Sequence, residues 1–384
     1  MSDPINRIPF NKPFIVGKEL YNIAQAVLKG QLAGDGYYTK LCHSWLEERL
    51  GCKKALLTHS CTAALEMSAI LCDIRPGDEV IVPSFTFVST ANAFVLRGGI
   101  PVFIDIRPDT LNMDETKVSE AICKRTKVIV PVHYAGVPCA MNEIMAIAEE
   151  HDLFVVEDAA QALLSAYKGT YLGKIGHLGT LSFHETKNII SGEGGALLVN
   201  DERLIKRAEI IREKGTDRAR FFRGEIDKYS WVDIGSSYLP SELVSAFLYA
   251  QMEQAEHINQ KRRELFEEYF KSLRHLELKG FLRLPYIQHE CASNGHMFYI
   301  ITDSLDERTK LIEHLRRSGI FSVFHYIPLH SSLAGRKFGR VSGTMEVTDS
   351  ISNRLLRLPL YYEMDQDTVH KVSDEVCQFY ESNR

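Results

Sequence analysis

The stretch Thr180-Leu-Ser-Phe-His-Glu-Thr-Lys187-Asn-Ile-Ile-Ser-Gly-Glu-Gly-Gly195 sets one lysine between an apolar β-pattern and a glycine-rich turn. Upstream, Leu153-Phe-Val-Val-Glu-Asp158 is a second apolar strand pattern, and it ends in a carboxylate. Lys187 and Asp158 thereby bring an amine and an acid to strand ends that share one cleft. Pyridoxal phosphate requires that pair. An amine condenses with its aldehyde, and an anion keeps its ring nitrogen protonated and electron-withdrawing.

Working outward, short β-rich runs alternate with helical patterns from about residue 52 to 200. Ala55 to Thr58, Glu79 to Pro83, Pro101 to Asp105, Val128 to Val132 and Phe154 to Glu157 read as buried strands. Between them, Thr62 to Cys72, Thr86 to Arg97, Asp114 to Ile122 and Met141 to Glu150 are compatible with helices. Such alternation predicts an α/β fold with a mainly parallel sheet. Beyond Asp201 the rhythm changes. Ser241 to Leu273 carries apolar residues at helical spacing, predicting long, broken helical structure. The remainder alternates strand and helix, as in Met297 to Ile301, Asp306 to Ser318 and Phe321 to His325. The expected division is a large domain over residues 1–240 and a helical connection with a smaller C-terminal α/β domain over residues 241–384.

Composition bounds the function. The 384 residues are 45% hydrophobic and 25% charged with a formal net charge of −5, an ordinary globular balance that gives no electrostatic footprint for nucleic acid. The densest basic cluster, Lys261-Arg262-Arg263, falls inside a helical pattern and reads as a solvated face. Eight cysteines form no C-x-x-C pair, which favours reduced thiols, and no run approaches a membrane span or a signal-peptide core. These features predict a cytoplasmic protein without membrane or metal partners.

Several other segments have chemistry to offer the cleft. His59-Ser-Cys-Thr-Ala-Ala-Leu65 joins a strand to a helix, where free amides and the hydroxyls of Ser60 and Thr62 suit a phosphate. Either hydroxyl also suits a simple helix cap. Phe85-Thr-Phe87 places aromatic rings at the next strand-to-helix turn, for stacking on a flat cofactor or for core packing. Asp158-Ala-Ala-Gln161 adds an amide able to bond a phenolic oxygen, although Asp158 alone would serve equally as a cap. Ser182 offers one more phosphate hydrogen bond. Gly192-Glu-Gly-Gly195 lacks the spacing of a dinucleotide fingerprint, and no GxxxxGK[ST] or G-x-S-x-G run is present. His325-Tyr-Ile-Pro-Leu-His330 reads as a substrate-facing loop or a packed surface loop, its histidine spacing fitting no common zinc pattern.

Together, Gly34-Asp-Gly36, Ser60-Cys-Thr-Ala-Ala-Leu65, Pro83-Ser-Phe-Thr-Phe-Val-Ser-Thr-Ala-Asn92, Val156-Glu-Asp-Ala-Ala-Gln161, Ser182-Phe-His-Glu-Thr-Lys187 and Leu358-Pro-Leu360 resemble the DegT/DnrJ/StrS sugar aminotransferases, a family of fold-type I pyridoxal phosphate enzymes. The resemblance runs from about Ile8 to the C-terminal region. It implies that Lys187 is the residue that bonds pyridoxal 5'-phosphate and that Asp158 faces the ring nitrogen. It further implies that Gln161 contacts the phenolic oxygen, that Phe87 stacks on the ring, and that Cys61 (through its backbone amide), Thr62 and Ser182 hold the phosphate. Where the family often has a partner-subunit asparagine at the phosphate, Ser237 stands here, in Gly235-Ser-Ser-Tyr-Leu239.

Pro83 to Arg97, Phe221-Phe-Arg-Gly224, Asp233 to Tyr238 and Val323 to His330 are similar to the subgroup that forms TDP-4-amino-4,6-dideoxygalactose for enterobacterial surface polysaccharides such as lipopolysaccharide O-antigen and enterobacterial common antigen. The implied reaction moves an amino group from L-glutamate to C4 of TDP-4-keto-6-deoxy-D-glucose, leaving 2-oxoglutarate. The implied assembly is a homodimer with composite sites, in which Arg223 and Lys228 face the diphosphate and His325, Tyr326 and His330 face the sugar. Competing readings are the glucose-configured 4-amino product, an aminotransferase acting at C3, and a non-catalytic cofactor-binding regulatory module. A sugar 3-dehydratase would carry histidine where Lys187 stands.

Overall fold

A computed structural model describes residues 7–383. Its centre is an eight-stranded sheet in which Lys54–Thr58, Gly195–Val199, Leu178–Ser182, Phe154–Asp158, Thr126–Ile129, Glu79–Pro83, Ile100–Ile104 and Arg340–Val341 lie side by side. Only Gly195–Val199 pairs antiparallel with its neighbours; the other pairings are parallel. Side chains alternate between two buried faces, as the two-residue period of a strand requires. Leu57, Ile81, Ile129, Val155 and Leu198 enter one apolar cluster, and Leu56, Val80, Val82, Val128, Val156 and Leu197 enter the other. The continuous apolar runs of the sequence are therefore strands covered by helices on both sides.

Helices Cys61–Leu71, Val88–Val95 and Met141–Glu150 stand where the alternation places them. The expected helix over 114–122 is a shorter object. It consists of a 3₁₀ turn, Glu115–Lys117, and one α-turn, Val118–Ala121, because the Asp114 side chain caps Thr116 and the backbone turns extended at Ile122. The long helical pattern is two helices, Glu242–Glu253 and Ala255–Leu278, broken where Gln254 leaves helical geometry at φ −110° and ψ 8°.

A second, three-stranded sheet orders Phe298–Ile301, Leu355–Leu358 and Val323–Phe324, all antiparallel. Helices Leu305–Arg317 and Gln366–Asn383 contribute apolar side chains to its own core, together with Leu265, Tyr269 and Leu273 of the long helix. Two segments cross a division drawn at residue 240. Ile8 bridges Ile320 and enters the small core, while Arg340–Val341 extends the edge of the large sheet. Buried Glu79 secures that edge by accepting hydrogen bonds from both Arg340 and Arg125.

Candidate active site

The parallel strands end on one side of the sheet, where such folds present ligand clefts. A cavity of about 600 Å³ opens there, between the large sheet and the three-stranded sheet, a volume in the range of small-molecule sites. Cys61, Thr62, Phe87, Asp158, Gln161, Ser182, Lys187, His325 and Tyr326 all line it.

Asp158 ends its strand with a buried carboxylate. Its Oδ2 accepts 2.7 Å from Thr90 Oγ1, and its Oδ1 accepts 3.2 Å from the Ala160 amide. Thr90 in turn receives the Thr86 hydroxyl at 2.9 Å, since its own proton is committed to Asp158. Neighbouring Gln161 accepts from the Ala135 amide at 2.7 Å and donates to the Tyr326 hydroxyl at 3.1 Å. A second hydrogen on Gln161 Nε2 is left for a ligand.

Lys187 rides on an excursion between two antiparallel strands, closed by Phe183 and Glu185 donating to the carbonyls of Gly194 and Gly192. Its amine makes no hydrogen bond or ion pair to any described residue. Burial lowers its pKa below that of a free lysine, with the charge of Arg357 acting in the same direction and Cys61 and Asp158 opposing, which shifts the amine toward its neutral, nucleophilic form.

Helix Cys61–Leu71 begins at the cavity wall. Ser60 is its cap, accepting 3.1 Å from the Ala63 amide, while Thr62 donates 2.8 Å to Ser89. The Cys61 and Thr62 amides precede the first intrahelical bonds and need an outside acceptor. Gly195 lets its strand approach this point, for a Cβ there would stand 2.4 Å from the Cys61 nitrogen. The Cys61 thiol is pushed far up in pKa by burial and is no nucleophile.

The aromatic wall combines Phe87, 58% exposed, with Tyr326, whose ring centre lies 6.5 Å away. Phe85 is instead core, stacked edgewise against Tyr134. His325 is neutral: burial and the neighbouring Arg357 drive its pKa far down. Arg357 Nη1 approaches His325 Nε2 at 3.3 Å and must donate, so His325 Nδ1 carries the hydrogen and gives it to Tyr134 at 3.0 Å.

Other residues singled out in the sequence stand apart from the cavity lining. His330 binds Ser84 at 2.7 Å and faces Asp349, anchoring the loop behind Tyr326. Arg223 is exposed and pairs with Glu209 and Glu225; Lys228 is exposed; Ser237 is exposed and bridges Glu213. Conversely, Thr90, Tyr134, His296 and Arg357 shape the site without having been picked out, because a threonine inside a helix and an arginine inside a strand have no spacing signature.

These residues fit pyridoxal phosphate by the chemistry of their donors. There is an unpartnered amine, a held anion, a helix start with free amides, and an aromatic face left open. Among the described residues no cluster of three or more His, Cys, Asp or Glu could hold a metal ion.

The chain is similar over most of its length to known proteins. A model of the DegT/DnrJ/EryC1/StrS aminotransferase family matches residues 15–377. An uncharacterized protein of Methanocaldococcus jannaschii is 34% identical, over 98% of this chain and 100% of its own length. The spore coat polysaccharide biosynthesis protein SpsC of Bacillus subtilis is 31% identical, over 96% of each chain. Among solved structures, the aminotransferase TlmJ from Streptoalloteichus hindustanus superposes with TM-score 0.89 at 28% identity, covering 98% of this chain and 99% of that one. The PLP form of a sugar aminotransferase from Streptococcus pneumoniae superposes with TM-score 0.89 at 25% identity, over 98% and 99%.

Proposed function

The chain belongs to the DegT/DnrJ/EryC1/StrS aminotransferase family, and from that premise we propose that it moves the amino group of L-glutamate to C4 of TDP-4-keto-6-deoxy-D-glucose, giving TDP-4-amino-4,6-dideoxy-D-galactose and 2-oxoglutarate. The fold is that of the fold-type I aminotransferases, and the cofactor is pyridoxal 5'-phosphate. The observation that carries the chemistry is the unpartnered Lys187 amine sharing one cavity with a carboxylate held by Thr90. The choice of sugar rests on the loop from His325 to His330, whose residues resemble the galactose-forming subgroup. SpsC, by its name a polysaccharide biosynthesis protein, supports a product destined for a surface polysaccharide.

When bound, the cofactor supplies a carbonyl that accepts amines and a ring that withdraws electrons from the adjoining carbon. The protein supplies the rest. Lys187 takes the proton from the amino donor's α-carbon and, in the second half of the cycle, delivers one to the sugar carbon. Its lowered pKa suits the first task, because only the neutral amine is a base. Asp158 holds a negative charge at the ring nitrogen, with Thr90 and Ala160 fixing its plane. The amides of Cys61 and Thr62, with Ser182, hold the phosphate, and Gln161 turns its free N–H toward the phenolic oxygen. Phe87 and Tyr326 cover the reacting face and limit water.

Composite sites in a homodimer complete the proposal. Phe222, Trp231, Val232 and Ile234 are exposed apolar residues of one segment, Trp231 at 80%, and that segment also carries Arg223 and Lys228. A second copy covering it would bring those cations toward the neighbouring cavity and the sugar diphosphate. Among the described residues no helix is long and apolar enough to cross a membrane, which accords with a cytoplasmic enzyme working on nucleotide sugars. The deciding experiment is product analysis after incubation with glutamate and the TDP-4-keto sugar. A small H3–H4 proton coupling marks the axial amine. A large one gives the glucose-configured product, and an amine at C3 rejects both. No turnover of any amino donor would leave a regulatory module.

A further inference from the structure

The residue that follows the lysine is held from three sides. The Asn188 side-chain nitrogen donates 2.8 Å to Asn259 Oδ1 and 3.0 Å to the Asn294 carbonyl, and the Asn188 side-chain oxygen meets His296 Nδ1 at 2.9 Å. Asn259, on helix Ala255–Leu278, donates onward to the Leu163 carbonyl, and Asn294 donates to the carbonyls of Gln161 and Leu163. Arg262 of the same helix pins the backbone at the carbonyls of Gly295 and His296. Asn188, Asn259, Asn294 and His296 are all buried.

Backbone carbonyls only accept, so the ends of this network fix every hydrogen in it. The carbonyls of Asn294 and Leu163 require the side-chain nitrogens of Asn188 and Asn259 where they stand. The Asn188 oxygen then faces His296, whose Nδ1 must carry the hydrogen. The imidazole is neutral, because burial and the charges of Lys187, Arg262 and Arg357, with His325 adding to them, drive its pKa far down. Its Nε2 is therefore a bare lone pair. His296 lines the cavity, and Nε2 neither bonds a described residue nor is sealed away from the cavity. The other two histidines of the cavity lining offer no such acceptor. His325 Nε2 receives Arg357, and His184 Nδ1 accepts from the Thr186 amide at 3.2 Å, which leaves the His184 hydrogen on Nε2 beside Glu193.

A lone pair facing a cavity calls for a donor, and Lys187 is the donor rooted next to it. The lysine's flexible four-carbon stem springs from the residue before Asn188, which His296 grips. Once the amine has taken a proton it is an ammonium, whose charge burial and Arg357 disfavour. Of the two groups that oppose them, the Cys61 thiol stays protonated, and Asp158 already accepts from Thr90 and Ala160 and is assigned above to the ring nitrogen. We propose that His296 is a positioning residue for Lys187, its Nε2 accepting one N–H of the amine so that the remaining face of the nitrogen is aimed at the reacting carbons. In the neutral amine that bond turns the nitrogen lone pair toward the carbon that loses a proton. In the ammonium it keeps the newly received hydrogen on the same side, for delivery to the next carbon. The proton stays on Lys187 between the two, and His296 never changes charge. The proposal rests on reading Lys187 as the proton carrier and adds the group that orients it.

The test uses the full-length chain loaded with pyridoxamine phosphate, in which the Lys187 amine is free. In nitrogen-15 spectra of histidine-labelled enzyme, His296 should carry its hydrogen on Nδ1 and show an Nε2 resonance that steps with pH at the midpoint of Lys187, a step absent from Lys187→Ala. Trace acetylation with peptide mapping measures the same midpoint independently. His296→Asn keeps a donor for Asn188 and removes the cavity acceptor, whereas His296→Gln keeps an acceptor toward the cavity and loses the donor. The Lys187 midpoint should fall by about one pH unit in His296→Asn, since the ammonium loses a charge-assisted hydrogen bond, and stay near wild type in His296→Gln. A midpoint unmoved in His296→Asn, an Nε2 resonance that ignores pH, or a hydrogen found on Nε2 overturns the proposal and leaves His296 to the Asn188 network alone. Where a variant loses its cofactor through misfolding, or both variants move the midpoint, the spectra of wild type and Lys187→Ala decide. Transamination by Lys187→Ala would instead refute the lysine as proton carrier, an outcome on which the nitrogen spectra do not depend.

Discussion

Asp158→Asn should cost activity through charge alone, and the hydrogen bonds around it explain why. Thr86, Thr90 and Asp158 form a chain in which each hydroxyl donates toward the carboxylate. Both hydroxyls can rotate. With an asparagine amide in place of Oδ2, Thr90 can accept from it and donate back to Thr86, so the Thr90 contact is kept and the side-chain shape is unchanged. The other oxygen still accepts from Ala160. What disappears is the one negative charge proposed to face the ring nitrogen. At a contact of about 4 Å and the effective dielectric of a protein site, a pair of unit charges is worth roughly 4 kcal/mol. Only part of that difference need be felt as the α-proton leaves, so the donor half-reaction should slow by about two to three orders of magnitude. Stopped-flow absorbance with L-glutamate measures the rate, and thermal melting with cofactor retention checks the fold. A variant that folds, holds cofactor and reacts within about tenfold of wild type would show that Asp158 only organises its loop.

Further outcomes follow from individual contacts. Lys187→Ala should abolish both half-reactions, and full transamination by that variant would remove the lysine from the mechanism. In cofactor-free protein, an amine-directed reagent should modify Lys187 with a pH midpoint below the ordinary 10.5 of lysine, because the amine's lowered pKa leaves more of it neutral at any given pH; peptide mapping across a pH series measures this. Gly195→Ala should weaken cofactor retention and stability together, since the added methyl would meet the Cys61 nitrogen at 2.4 Å, and equilibrium dialysis with denaturant titration checks both. Arg340→Ala should destabilise by about 1–3 kcal/mol through loss of a charge-assisted partner of buried Glu79. Arg340 holds the Glu79 pKa below its ordinary value, so this stabilisation is present above the unfolded carboxylate range and fades as pH falls through the folded value; urea melts at neutral and acid pH should therefore converge for wild type and variant.

The large sheet was legible because its strands are buried on both faces. Ala55 to Thr58 and Phe154 to Glu157 read as unbroken apolar runs, and helix Met141–Glu150 keeps the bounds its periodicity suggests. The helix expected over 114–122 was misjudged in length because Asp114 caps a 3₁₀ turn, a choice of local hydrogen bond that apolar spacing does not report. The strand Leu355–Leu358 went unnamed although its neighbouring Leu358-Pro-Leu360 was conspicuous. Four residues with an arginine among leucines suit either an exposed strand or a buried one, and only the pairing with Phe298–Ile301 decides.

Site residues divide along the same line. Lys187, Asp158 and the start of helix Cys61–Leu71 could be read from sequence because strand ends and helix starts are punctuated by glycine, serine and acidic residues. Thr90 and Arg357 could not, since what matters in each is the partner: a carboxylate at a strand end for one, the His325 ring for the other. A partner brought in from a distant element is a property of the fold and has no local pattern. The two classes of residue also serve different parts of the cycle. The punctuated positions are those proposed to hold the cofactor, which is common to both half-reactions, whereas His325, Tyr326 and Arg357 come from the small sheet and its loop and line the same cavity from the other side. Under the proposed function, discrimination between the two substrates falls to the side of the cavity that sequence punctuation describes least.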